Sequence, residues 1–137
     1  MPNTAQIPLS TVRFWAWLDT AVSWMPALPP LSATFVSGLY WMNGLLGGTA
    51  TPPAFEPIHL VFVSLMGSLV SLWCYVRIRH AQGWMAVVDG WARLWVGATL
   101  VWFLLIGGAP PILWLFVFTE WIGAAAQLRA AYFSKAA

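Results

Sequence analysis

Residues 84–106 read WMAVVDGWARLWVGATLVWFLLI, an apolar stretch long enough to cross a bilayer that also holds one acid and one base. Asp89 and Arg93 stand four residues apart with the acid first, which is the favourable order for an ion pair along a helix. By the 3.6-residue period, Asp89, Arg93 and Gly97 lie about 140° from a stripe of four tryptophans, at positions 84, 91, 95 and 102. The stretch predicts a membrane helix with its polar face towards other helices and its tryptophans towards lipid, a partner or a flat apolar ligand.

The chain as a whole is also strongly apolar. Its 137 residues are 61% hydrophobic and 7% charged, with a mean hydropathy of +0.76, whereas globular chains carry about 25% charged residues. The formal net charge is +2 with no basic stripe, so we expect no nucleic-acid partner. A single cysteine, Cys74, excludes an internal disulfide and a cysteine-rich metal site. We therefore predict neither a metal nor a cofactor.

Prolines and glycines divide the chain into five apolar segments. The other four cover residues 12–28, 31–47, 57–76 and 111–128. Pro57 and Pro111 each stand where a helix would begin, a position at which proline is tolerated. We predict a single all-α integral membrane domain over residues 1–137. It comprises an N-terminal tail and helix (1–30), a bundle of four transmembrane helices (31–128) and a cytoplasmic tail (129–137).

The distribution of basic residues predicts the orientation. The stretch Arg77–Gly83 and the C-terminus, with Arg129 and Lys135, fall on one side if segments three to five each cross once. The positive-inside rule places that side in the cytoplasm. The first segment carries Arg13 and Asp19, which favours an interfacial helix with Ser23 on its polar face. A fifth span, or a re-entrant hairpin with the second segment, remains an alternative.

Acids within the predicted helices are the candidate catalytic groups. Asp89 has Arg93 beside it, but Glu120 has no base within one helical turn. Because a charge within a membrane is costly, Glu120 must be protonated or paired with another helix. Asp89, Glu120 and Asp19 in different surroundings would suit proton-transfer chemistry such as isomerisation or cyclisation.

Further polar and aromatic residues are candidates for substrate binding. Arg93, held by Asp89, could grip a carboxylate or an anionic headgroup. Glu56 and His59, at the start of the third segment, lack the third ligand that metal sites usually need, and Glu56 is expected to cap the helix. The full set of candidate binding residues is Arg93, Trp91, Trp95, Trp121, Asn43, Tyr40 and His59.

Three functions fit these features. The first is a membrane enzyme or binder with an intramembrane acid/base site for a lipophilic small molecule. The second is a non-catalytic subunit of a larger membrane complex, whose partner would cover the tryptophan stripe. The third is an oligomeric transporter or proton path lined by Asp89, Arg93 and Glu120. The unpaired Glu120 favours the first, since a passive subunit has less need of such costly groups.

Overall fold

The computed structural model describes residues 4–133, and every regular element in that range is helical. Residues 1–3 and the end of the predicted tail, including Lys135, lie outside the described residues. Short 3-10 turns at Thr4–Gln6 and Pro111–Leu113 precede the first and last long helices. The five helices are α1 (Leu9–Ala27), α2 (Pro29–Leu45), α3 (Pro57–Arg79), α4 (Gly83–Leu105) and α5 (Trp114–Tyr132).

The five predicted segments correspond to the five helices, with one informative difference. The prediction placed Arg77 in a loop, but α3 continues through Arg79. Arg77 therefore lies within the helix and is buried there. Pro57 is the first residue of α3, as predicted, whereas Pro111 opens a 3-10 turn.

Three helical stretches are long and apolar enough to cross a membrane: Pro57–Arg79, Gly83–Leu105 and Pro111–Tyr132. This supports the interpretation as a helical membrane protein. The second segment forms a helix of 17 residues, which at 1.5 Å per residue is about 25 Å long. The count of four spans stays a prediction.

Proline chemistry separates α1 from α2. Pro26 lies near the end of α1, and α2 opens with Pro29 and Pro30. None of the three prolines has an N–H to continue a helical ladder. Leu28 between them is extended, with φ −93° and ψ 113°, as expected for a residue before proline.

Helix α1 packs along α3 in the opposite direction, through small residues. A Cβ on Gly67 would lie 2.5 Å from the backbone nitrogen of Ala27. One turn further along α3, Ser71 Oγ donates a hydrogen bond of 3.1 Å to Ser23 Oγ. Ser23 is therefore buried, and its predicted place on the polar face of an interfacial helix was wrong.

Helices α4 and α5 form a second closely packed pair. Gly90 leaves room for Leu128, and Gly97 leaves room for the indole of Trp121. A Cβ at either glycine would come within 3 Å of those side chains. The fold is thus built from two antiparallel helix pairs, α1 with α3 and α4 with α5, with fewer contacts between the pairs than within them.

Contacts at the two ends join the pairs. At the end carrying Arg79 and Arg129, here called the basic end, an apolar core is formed by Ile7, Val12, Met85, Ala86 and Ala131. At the opposite end, here called the proline end, Asn43 Oδ1 on α2 accepts a hydrogen bond of 3.2 Å from the Ile112 N–H. Between these ends the pairs meet through charged side chains.

Gly67→Ala tests the close packing of α1 on α3. An added methyl group would press on the backbone of Ala27, which cannot move aside as a side chain can. Overpacking of this kind destabilises by about 1–3 kcal/mol. We expect a lower midpoint in detergent unfolding followed by circular dichroism.

Gly38→Ala on α2 is the matched control, because nothing lies within 4 Å of its added Cβ. This variant should be neutral or stabilising by up to about 1 kcal/mol through helix propensity. Equal behaviour of the two variants would contradict the α1–α3 interface described above.

Candidate functional site: a buried charge cluster

Five ionisable side chains from four helices converge between the two helix pairs. They are Asp19 on α1, Arg77 on α3, Asp89 and Arg93 on α4, and Glu120 on α5. This set is called the charge cluster below. It unites all three predicted catalytic acids with Arg93.

Arg93 lies at the centre of the charge cluster, and each of its three guanidinium nitrogens donates to a different carboxylate. Nε donates to Asp89 Oδ2 at 2.8 Å, which confirms the predicted pair along α4. Nη1 donates to Glu120 Oε2 at 3.1 Å. Nη2 donates to Asp19 Oδ2. Each guanidinium nitrogen of Arg93 thus contacts a carboxylate of the protein, and its side chain is 4% exposed. The predicted role of Arg93 in gripping an anion stays a prediction.

Asp89 has the largest number of partners. Its Oδ2 also accepts a hydrogen bond of 2.7 Å from Gln127 Nε2, and Oδ1 accepts one of 3.0 Å from the indole N–H of Trp73. Arg77 Nη1 lies 2.8 Å from Oδ2, at an angle outside hydrogen-bonding geometry. Buried carboxylates require this degree of compensation, because desolvation is expensive.

Arg77 reaches the charge cluster because α3 is longer than predicted. Its Nη2 donates to Asp19 Oδ2 at 2.5 Å and lies 3.5 Å from Cys74 Sγ. Its side chain is 1% exposed. Hydropathy alone assigns such a base to the loop, since its partner Asp19 lies 58 residues earlier in the chain.

Aromatic rings enclose the two arginines. The Trp15 ring lies 5.1 Å from Arg93 Cζ, and the Trp73 ring lies 5.7 Å from Arg77 Cζ. Gly123 makes room for the first of these, because a Cβ there would meet both the Trp15 ring and the Arg93 stem at about 3 Å. Sequence reasoning missed Trp15, Trp73 and Arg77 as members of this site, and no local spacing signals them.

The charge cluster has more negative than positive groups. Three carboxylates face two guanidiniums, which leaves a formal charge of −1 when all are ionised. The arginines are its most buried members, at 1% and 4% side-chain exposure, whereas Asp19 and Glu120 are 15% and 22% exposed. Its accessible rim therefore consists of carboxylates.

Three buried polar atoms beside Asp89 have no hydrogen-bond partner in the described chain. They are Arg77 Nε, Arg77 Nη1 and Gln127 Oε1. Gln127 is fully buried, and its amide nitrogen is already committed to Asp89. The amide oxygen of Gln127, in contrast, accepts no hydrogen bond. Such atoms are usually satisfied by water or a ligand.

The predicted binding residues divide into three groups. Trp91 and Trp95 lie on the outer face of α4, 56% and 75% exposed, as the helical period predicted. Trp121 packs on Gly97. Tyr40, Asn43 and His59 belong to α2 and to the start of α3, away from the charge cluster. The structure thus gathers the acids and Arg93 but not these six residues.

His59 has a local structural role. Its Nδ1 accepts a hydrogen bond of 3.0 Å from the Glu56 N–H, while the Glu56 side chain caps the same helix end. This confirms the expected cap. Within residues 4–133, no group of three or more His, Cys, Asp and Glu side chains lies close enough to hold a metal ion.

Two surface cavities lie away from the charge cluster. One, of about 380 Å³, lies where the α1–α2 break meets α3, between Ala27, Pro29 and Ser64. The other, of about 310 Å³, lies on the outer face of α4 and is lined by Trp95, Ala98, Thr99 and Trp102.

Comparison with protein families, curated proteins and solved structures found no match.

The charge cluster predicts unequal losses of stability when two of its acids are replaced. Asp89→Asn deprives both arginines and Gln127 of a charged acceptor, and breaking a buried pair in this way destabilises by about 3–5 kcal/mol. Glu120→Gln leaves two carboxylates opposite two guanidiniums, so it should cost about 1 kcal/mol or less. Unfolding in sodium dodecyl sulfate measures both.

The exposed Arg13 on α1 provides the control, since Arg13→Gln should leave stability unchanged. If Asp89→Asn and Glu120→Gln lowered the free energy of unfolding equally, the unequal partner sets described above would be wrong.

Proposed function

We propose that this is an integral membrane protein with an intramembrane acid/base site acting on a lipophilic substrate. The proposal rests mainly on Glu120, the third carboxylate of the charge cluster, and on its limited ion pairing. Asp89 and Asp19 each contact two arginines, but Glu120 contacts only Arg93 and is the most exposed of the three.

The excess charge favours a bound proton. An uncompensated carboxylate in an apolar region is expensive, so one proton on the charge cluster lowers the free energy. Glu120 is the carboxyl with the least ionic compensation, and it lies at the rim. It is therefore the group best placed to exchange a proton with a substrate.

Isomerisation or cyclisation of an unsaturated lipid follows from this arrangement. Glu120 would give its proton to one carbon of an alkene. The π electrons of the double bond form the new C–H bond, which leaves a cation on the other alkene carbon. Loss of a proton from an adjacent carbon to Asp19 would form a new double bond. No oxidant or reductant is consumed.

The proposed topology places the basic end in the cytoplasm, following Arg79 and Arg129. Helices α3, α4 and α5 each cross the membrane. Helix α1 runs from the basic end to the level of Gly67, near the middle of α3, and α2 continues to the proline end. The two would act in series as a broken fourth span, packed against protein where the backbone is interrupted.

Incorporation of solvent deuterium tests the proposed chemistry without knowledge of the substrate. Purified protein is incubated in D2O with lipids extracted from its native membrane, and the lipids are then analysed by mass spectrometry. Proton transfer at carbon should place deuterium in one lipid species. Glu120→Gln should abolish the incorporation.

Thr119→Val is the matched control, because its exposed hydroxyl bonds only to its own helix. This variant should retain full incorporation. Absence of any protein-dependent deuterium in the wild type would argue against proton-transfer chemistry, as would equal activity of a folded Glu120→Gln variant.

A second candidate function, a subunit of a larger membrane complex, is favoured by the outer face of α4. Trp91, Trp95 and Trp102 are all more than half exposed, and Ala98 and Thr99 leave a hollow between the last two. Exposed aromatics beside a hollow are typical of the anchor residues of an interface.

Replacement of Trp95 and Trp102 by alanine tests this candidate. Loss of an anchor residue costs about 2 kcal/mol or more of binding, so a stoichiometric partner seen in mild-detergent native mass spectrometry should disappear. Phe118→Ala, an equally exposed aromatic on α5, should retain it. A protein that carries no partner chain at all would contradict the subunit function.

A further inference from the structure

We infer that the rim of the charge cluster binds a lipophilic cation in competition with a proton. The inference rests on the proposed function, since it concerns the same site, and goes beyond it: the cation is not the substrate that Glu120 protonates but a ligand that displaces the proton of Glu120. It follows from which atoms of the charge cluster are free, which are exposed, and what net charge they carry.

Hydrogen-bond donors are the first constraint. All three guanidinium nitrogens of Arg93 are engaged with carboxylates. Arg77 Nη2 donates to Asp19, whereas its Nε and Nη1 are buried without a hydrogen-bond acceptor, although Nη1 lies 2.8 Å from Asp89 Oδ2. The side chains of Arg77 and Arg93 are only 1% and 4% exposed. A phosphate or carboxylate ligand would therefore find no accessible guanidinium to pair with.

Exposure is the second constraint. A ligand that approaches from the membrane meets Asp19 and Glu120 before it meets either arginine. Carboxylate oxygens accept hydrogen bonds and attract positive charge. An anionic headgroup would be repelled at this rim, whereas an ammonium group would be attracted.

The net charge of the charge cluster also favours a cationic ligand. The charge cluster is one positive charge short of neutrality, and a monovalent cation supplies it. In an apolar surrounding, that compensation is worth far more than in water. The buried Gln127 Oε1 is an acceptor without a donor, and Arg77 Nε and Nη1 are donors without an acceptor, so water carried in with the ligand could satisfy these atoms.

Competition between the cation and a proton follows from the same net charge of the charge cluster. Either a proton on Glu120 or a bound cation neutralises the charge cluster, so binding of one releases the other. The charged groups around Glu120 from every packed helix are Asp19, Arg77, Asp89 and Arg93. Cation affinity should therefore rise with pH, by up to tenfold per unit, until the site is deprotonated.

The experiment uses the full-length protein in uncharged phosphatidylcholine nanodiscs. Dodecylammonium, dodecanol and dodecyl sulfate are matched probes that share a chain and differ in headgroup charge. Isothermal titration calorimetry is run at several pH values in two buffers of different ionisation enthalpy. Empty nanodiscs give the background due to partition into lipid.

We expect saturable binding of dodecylammonium alone, with proton release that increases towards lower pH. Glu120→Gln should weaken binding at least tenfold, and Glu120→Asp, which keeps the charge, should retain it. Comparable binding of dodecyl sulfate, pH-independent affinity, or undiminished binding by Glu120→Gln would each overturn the inference. Deuterium incorporation is measured separately, so cation binding can fail while the proposed chemistry stands.

Discussion

The ion pairing of Arg93 is the interaction on which the arrangement of helices depends. One guanidinium binds carboxylates from α1, α4 and α5, and so connects the two helix pairs. Packing within each pair rests on glycines, but between the pairs the buried charges supply much of the contact. Removing Arg93 would leave three carboxylates with Arg77 as their only counter-charge in an apolar interior, so the buried acids depend on its presence.

The helical period was sufficient to predict the faces of α4. Asp89, Arg93 and Gly97 are buried and the four tryptophans are exposed, because both properties follow from spacing along one helix. The pair between Asp89 and Arg93 was predictable for the same reason. On α5, the buried Gly123, Ala124 and Gln127 follow Glu120 by three, four and seven residues, which is the spacing of one helical face.

Contacts between helices were beyond such reasoning. Sequence left Glu120 either protonated or paired with another helix, and only packing identifies Arg93 as its partner. Arg77 was assigned to a loop because a base after an apolar run usually marks a helix end. Its partner Asp19 lies 58 residues away in the chain, so that assignment failed. Asp19 together with Arg13 suggested an interfacial helix, and the position of α1 relative to the membrane stays a prediction.

The distance in sequence between Asp19 and its partners has a consequence for biosynthesis. Arg77 follows Asp19 by 58 residues and Arg93 by 74. At about 5–20 residues per second, a ribosome needs several seconds to synthesise the first of these partners. During that interval neither Arg77 nor Arg93 is present to pair with Asp19, and burial of its charge in an apolar region would be costly. The ion pairs that join α1 to α3 and α4 can therefore form only after those two helices have been synthesised.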